Sequence, residues 1–293
     1  MVQLVVLREA QAVGTGVLVG MIVSGAHFVL ERLGFEGFRV LEARGICRRF
    51  IPDCKRPLLQ HPEGNLWTVF LPYVLLGTAI ARCWYGDMAT RMELMPQGLL
   101  PTFCFLWIGM VLHDTWFFLV HRLMHSVKIL YRRIHQGHHE NTAGVTALGT
   151  STGEAADVGL CFVAFHFLVF LYLYRQPSWN LPTVAVYTFF EEVVNITGHC
   201  GYKTPLWLHA LLTGGVGLTP WAATSKTHYI HHVDCRYNRA LYFTWWDRLF
   251  ETHTDRHPLI KEDLKRTSSF ANLMNDLSRF WAANITSRLA SVR

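Results

Sequence analysis

Charge is scarce in this chain of 293 residues. Only 16% are Asp, Glu, Lys or Arg while 51% are hydrophobic, whereas an ordinary soluble domain is about a quarter charged. Mean hydropathy is +0.20, so the polar surface that would keep two soluble domains in water is missing, and a polytopic membrane domain is expected instead. The seven cysteines, at 47, 54, 83, 104, 161, 200 and 235, contain no C-x-x-C pair. Their odd number and spacing exclude a disulfide framework and a zinc knuckle, and reduced thiols are expected. No flavin or nicotinamide fingerprint, internal repeat or low-complexity tract is present. No small-residue cleavage signature follows Met1–Gln11, so the first apolar run reads as a retained helix. The net charge of +6 is not gathered into one stripe interleaved with aromatics, which argues against nucleic-acid binding.

What is abundant is apolar sequence in lengths that match a bilayer. Five runs stand out, Ala12 to Leu30, Leu66 to Trp84, Leu99 to Val120, Val158 to Tyr174 and Leu181 to Thr197, each near the ~20 residues of a spanning helix. The expected fold is therefore all-α, a polytopic membrane helical bundle of about four to five spanning helices with a cytosolic, histidine-rich helical cap. Residues 175–180, with Pro177 and Asn180, suit a tight helical hairpin between the last two runs. Lys and Arg number seven in 31–65, four in 121–156 and twelve after Gly198, against one or two in 85–98 and in 175–180. The rich segments then share one face, which the positive-inside rule makes cytosolic. The run Leu206 to Trp221 is broken by Gly214, Gly215, Gly217 and Pro220 and reads either as an interfacial or re-entrant element or as a buried loop and helix. Three regions are expected: N-terminal helices with a basic loop (1–98), a catalytic region (99–256) and a polar tail (257–293).

Sixteen histidines are unusual, and their spacing is more so: His121-x3-His125, His135-x2-His138-His139 and His228-x2-His231-His232. Residues three and four apart share a helix face, so each box aims two or three imidazoles at one point. Eight imidazoles exceed what one four-coordinate zinc uses and suit two metals of higher coordination. A continuous helix would hold His121 and His139 about 27 Å apart, so the chain must bend between His125 and His135, around Ser126 to Lys128. Surface histidines at a membrane interface are the plain alternative for any one box. A membrane zinc hydrolase is another reading, but the chain has no H-E-x-x-H. An inactive lipid-binding relative would show a broken box, and none is broken.

The boxes and their flanks, His113-Asp-Thr-Trp-Phe-Phe-Leu-Val-His-Arg-Leu-Met-His125, Ile134–Glu140, Gly198-His-Cys-Gly-Tyr202 and Thr227–His232 with Tyr242–Phe250, resemble the fatty acid hydroxylase superfamily of membrane di-iron oxygenases. The resemblance implies two iron ions held by His121, His125, His135, His138, His139, His228, His231 and His232, with His199 as a ninth ligand. Some members carry a further histidine where this chain has Lys203, a place that a water or His209 could fill. The implied reaction is hydroxylation or oxidation of an unactivated C–H bond of a lipid entering from the bilayer, with O2 and electrons from cytochrome b5 and its reductase. The endoplasmic reticulum membrane is the implied location. A sterol is the expected substrate, in the manner of the C4-methyl oxidases; a fatty-acyl or sphingolipid hydroxylase and a sterol C5-desaturase are the alternatives within the superfamily. Asp114, Glu192 and Asp247 are candidates to orient ligand imidazoles, and His113 is expected to be a buried hydrogen-bonded group rather than a ligand.

Overall fold

A computed structural model describes residues 2–51, 66–84, 89–139 and 147–257. Residues 258–293 of the polar tail and residues 52–65 of the basic loop lie outside the described residues. Helix α1 (Val2–Ala43) extends beyond its apolar run at both ends, and is followed by α2 (Leu66–Trp84) and α3 (Leu99–Ser126). The chain then forms α4 (Lys128–Leu130), a π-helical turn (Tyr131–His135), α5 (Gln136–His139) and a 3-10 turn (Ala147–Ser151). Next come α6 (Ala155–Val158), a second π turn (Gly159–Val163) and α7 (Ala164–Arg175) in unbroken succession. Helices α8 (Leu181–His199), α9 (Leu206–Leu212), α10 (Ser225–Val233) and α11 (Trp245–Leu249) complete the described chain.

Among the described residues, four helical stretches are long and apolar enough to cross a membrane: Val6–Ala43, Leu66–Cys83, Leu99–Ser126 and Ala155–Arg175. The fifth apolar run is helical, as α8, but is not one of them. It carries Glu191, Glu192 and Asn195, and it packs inside the bundle against α1 and α3. In α3 the polarity is turned inside out relative to a soluble helix. Ile108, Leu112, Leu119 and Leu123 form an exposed stripe, as lipid contact requires, whereas His113, Asp114 and His121 are buried.

Helices α1 and α2 meet at backbone distance. A Cβ on Gly16 would lie 2.0 Å from Thr78 Oγ1 and 2.6 Å from the Val74 carbonyl, and one on Gly77 would lie 3.0 Å from Gly16 Cα. Gly16 and Gly20 form the small-xxx-small spacing that lets apolar helices gain dispersion contact in the absence of a hydrophobic drive.

Two short strand pairs tie the loops together at the two ends of the bundle. Strand β1 (Arg48–Arg49), after α1, pairs antiparallel with β4 (Tyr202–Lys203), after α8; β2 (Met92–Glu93), after α2, pairs parallel with β3 (Trp179–Asn180), after α7. Each pairing joins segments that the charge count placed on the same face. Local signals set the helix starts. The Asn180 side chain accepts the Thr183 N–H (2.9 Å) ahead of Pro182 in α8, and Thr224 and Thr227 form a reciprocal capping box on α10, a device worth about 1 kcal/mol.

Candidate metal centre

The bend required between the first two boxes falls at Val127. Its extended backbone (φ −103°, ψ 106°) ends α3 and starts α4, turning His135 and His139 back toward His121 and His125. The π turn ending at His135 widens the helix and shifts its register, as such turns commonly do beside sites. Helix α10 returns from beyond α8 with the third box.

The nine histidines gather into two buried groups. His121, His125, His135, His139 and His231 form cluster A, and His138, His199, His228 and His232 form cluster B; within each, the candidate ligand atoms lie within 4.8 Å of one another. The boxes do not each serve one point. His135 and His139 face cluster A while His138 faces B, and His228 and His232 face B while His231 faces A. Adjacent helical residues diverge by about 100°, so an H-x2-H-H box serves two points at once. Rings of the two clusters approach closely, His139 to His232 having centroids 4.8 Å apart.

Hydrogen bonds at the far side of five of the nine rings define what the clusters can hold. His121 Nδ1 donates to the Arg239 carbonyl (2.6 Å), His231 Nδ1 to the Tyr237 carbonyl (2.7 Å) and His135 Nδ1 to Asp157 Oδ2 (2.9 Å). These acceptors fix the proton on Nδ1 and leave each Nε2 with a bare lone pair. Yet His121 Nε2 lies 2.8 Å from His135 Nε2 and 3.0 Å from His231 Nε2, and His125 Nε2 lies 3.1 Å from His121 Nε2 and 3.2 Å from His231 Nε2. Cluster B repeats the pattern. His199 Nδ1 bonds the Asn195 carbonyl (2.9 Å), His138 Nδ1 bonds the Thr152 carbonyl (3.3 Å), and their Nε2 atoms face each other at 3.4 Å. Lone pairs pointed at one another in a buried site repel unless a cation lies among them. Protons are poor candidates, because burial and then the neighbouring imidazoles push His231 and His232 well below the ordinary imidazole pKa. The donor set therefore fits metal ions, and neutral imidazole suits iron, copper, zinc and nickel.

Of the three carboxylates expected to orient ligands, none touches a ligand ring. Asp114 accepts backbone N–H groups from Leu241, Tyr242 and Phe243 (3.1, 2.7 and 3.3 Å). Asp247 accepts those of Arg239 and Ala240 (2.8 and 2.9 Å) and the Thr252 hydroxyl. Both buried groups thus clamp the segment whose Arg239 carbonyl holds His121, acting through the backbone. Glu192 Oε1 lies 2.9 Å from His27 Nδ1 instead. Among the described residues, the carboxylate that does reach a cluster ring is Asp157, which lies one residue before the fourth apolar run. An acidic side chain bordering a spanning segment was the available signal for it; the carbonyls of Tyr237, Arg239 and Thr152 had none. Gly153 permits the last of these. Its φ of +111° and its approach to His138 N, 3.0 Å from where a Cβ would sit, bring the Thr152 carbonyl under the ring.

His113 is buried, bonded to the Cys161 carbonyl (3.0 Å) and the Tyr242 hydroxyl (2.9 Å). Neither His209 nor Lys203 belongs to a cluster; Lys203 is exposed on β4. In the run after β4, Leu206, Leu208 and Val216 are buried while Leu211, Leu218 and Trp221 are exposed.

A family model for fatty acid hydroxylase matches residues 106–252, which include all nine histidines. The chain belongs to the fatty acid hydroxylase family. Among curated proteins it is 32% identical over 149 residues to methylsterol monooxygenase 1 of Rattus norvegicus, covering 50% of this chain and 45% of that protein. It is 31% identical over 145 residues to cholesterol 25-hydroxylase of the same organism, covering 50% and 45%. A C-4 methylsterol oxidase of Schizosaccharomyces pombe is 27% identical over 146 residues, covering 50% and 46%. The chain spans about half the length of the curated relatives it matches. No solved structure matches it.

Proposed function

We propose that this chain is a membrane-bound di-iron oxygenase that hydroxylates or oxidises an unactivated C–H bond of a sterol. The observation that carries the reading is the pair of buried imidazole clusters whose Nε2 lone pairs converge while the Nδ1 protons of His121, His135, His138, His199 and His231 are committed elsewhere. Five rings at one point and four at the next suit two metals, and a zinc hydrolase would use far fewer. Relatives named methylsterol monooxygenase 1 and cholesterol 25-hydroxylase match at similar identity, and both names describe oxidation of a sterol.

When bound, two irons supply reduction of dioxygen and abstraction of hydrogen from carbon, chemistry that belongs to the metals. The protein's contribution is placement. His121, His125, His135, His139 and His231 would hold one metal, and His138, His199, His228 and His232 would hold the other. The carbonyls of Arg239, Tyr237, Asn195 and Thr152, with Asp157, fix the rings and their tautomers. The apolar helices bring the lipid in from the bilayer. Two electrons per turnover come from an external carrier of the cytochrome b5 type with its reductase, docking on the cytosolic face of the endoplasmic reticulum membrane.

Metal analysis of the purified chain tests the reading. Two irons per chain are expected, responsive to reductant and oxygen, with His231→Ala and His138→Ala abolishing sterol oxidation while the protein stays in the membrane. About one metal per chain, inert to both reagents, would refute it. A tag after Arg293 found on the luminal side would refute the orientation.

A further inference from the structure

Outside the histidine clusters, a second set of ionisable groups lies among the membrane helices: His27 and Glu31, buried on α1, which the family match does not reach, and the half-buried Glu192 of α8. Both ring nitrogens of His27 lie against carboxylates, Nε2 at 3.1 Å from Glu31 Oε1 and Nδ1 at 2.9 Å from Glu192 Oε1. Glu31 is fully buried. Its Oε1 also accepts the hydroxyls of Thr150 and Ser151, the latter at 2.9 Å. Ionisable groups at such depth are costly and persist where they have work to do.

The elements they grip are those behind cluster B. Thr150 and Ser151 immediately precede Thr152, whose carbonyl takes His138 Nδ1 (3.3 Å). Glu192 lies on α8, one turn ahead of Asn195 and two ahead of His199, where the Asn195 carbonyl takes His199 Nδ1 (2.9 Å). Close packing reinforces both grips. A Cβ on Gly34 of α1 would lie 2.6 Å from Ile196 Cγ2, and Phe35, Ala147, Leu148 and Ile196 form one apolar cluster. The Thr68 hydroxyl of α2 adds a bond to the Ser151 carbonyl (2.7 Å). Cluster A is supported from elsewhere: its rings lean on Arg239, Tyr237 and Asp157, none of which touches this set.

The geometry points to His27, Glu31 and Glu192 as positioning residues through which the N-terminal helices hold the metal of cluster B, and not that of cluster A. The inference rests on the two-metal reading above. Removing the Glu31 carboxylate frees the 150–152 turn, so the Thr152 carbonyl no longer fixes His138. Losing an outer partner of a ligand typically weakens metal affinity ~10–100-fold.

The test is an anaerobic titration of ferrous iron into the metal-free full chain in detergent. His228→Ala identifies the binding step that belongs to cluster B and His231→Ala the step of cluster A. Glu31→Ala is expected to weaken the cluster B step ~10–100-fold and leave the other within about twofold. Glu31→Gln, which keeps an oxygen for Thr150 and Ser151, should recover much of the loss. Ser151→Ala, a milder change should Glu31→Ala fail to fold, should weaken the same step by a smaller factor. Unchanged binding in the folded variants, or equal weakening of both steps, would overturn the inference. Failure of the unaltered chain to bind two irons would instead overturn the two-metal reading.

Discussion

Asp157→Ala probes the support of the other cluster. His135 is buried and donates its Nδ1–H to Asp157 Oδ2 at 2.9 Å, and among the described residues no other carboxylate contacts a ligand ring. Removing it strands a buried N–H, a cost of about 1–3 kcal/mol. Carried into metal affinity at tenfold per ~1.4 kcal/mol, that is a loss of about 5- to 150-fold, which brackets the ~10–100-fold typical of outer partners of metal ligands. Asp157→Asn keeps an acceptor and loses the charge, so a loss of only a few-fold is expected. Equilibrium binding of ferrous iron to the metal-free protein under argon reads both variants. The step that His231→Ala removes should weaken, and the step that His228→Ala removes should not. Unaltered affinity in Asp157→Ala, or loss of both steps together, would refute the assignment of Asp157 as the orienting partner of a cluster A ligand.

Gly16→Leu should separate α1 from α2, because even a Cβ at that place lies 2.0 Å from Thr78 Oγ1. Overpacking of this kind costs about 1–3 kcal/mol or more, to be read as a lowered Tm in detergent, whereas Gly14→Leu, with nothing within 4 Å, should leave Tm unchanged. The metal-free protein should lose stability on acidification. Burial, and next the neighbouring imidazoles, hold His135, His139, His228, His231 and His232 well below the ordinary imidazole pKa. Below about pH 6.5 the unfolded chain therefore binds protons that the folded chain refuses, and stability falls by up to about 1.4 kcal/mol per pH unit for each ring. Tm of the metal-free chain should drop steadily from pH 7 to pH 5 and change little above pH 7.5; a flat profile across pH 7 to 5 would contradict the buried, neutral state of these rings.

Much of the centre was legible because its chemistry is carried by side chains at helical spacing. The three boxes, the bend forced between His125 and His135 and the shared face of the basic segments all followed from periodicity, rise per residue and charge. What escaped was set by tertiary contact. Asp157, rather than Asp114 or Asp247, reaches a ligand because the second π turn begins two residues after it and α6 packs against the turn that ends at His135. The partners of His121, His231 and His138 are main-chain carbonyls, to which any side chain at those positions would contribute equally. Helix α8 runs between the two strand pairs as its apolar run predicted, yet Glu191 is gripped by His113 and His166 (2.8 and 2.7 Å), a polar layer that belongs inside a bundle.

The two H-x2-H-H boxes divide their rings between the clusters in opposite ways. In each, residues i and i+4 lie about 40° apart around the helix axis and point to one cluster, while i+3 lies about 60° to the other side and points to the neighbour. The box at 135–139 gives its pair to cluster A and its single ring to B; the box at 228–232 gives its pair to B and its single ring to A. Bound metals would thereby cross-link the two helices, since each cluster contains a ring from each helix. His121 and His125 then complete A from α3, and His199 completes B from the end of α8. A single-residue slip of α5 or α10 would turn its rings by about 100° and disrupt both clusters together. The capping box on α10, the Gly137–Gly153 approach beneath α5 and the grip of α1 on the 150–152 turn therefore serve a common end, which is to fix helix rotation where a small error would cost both metals.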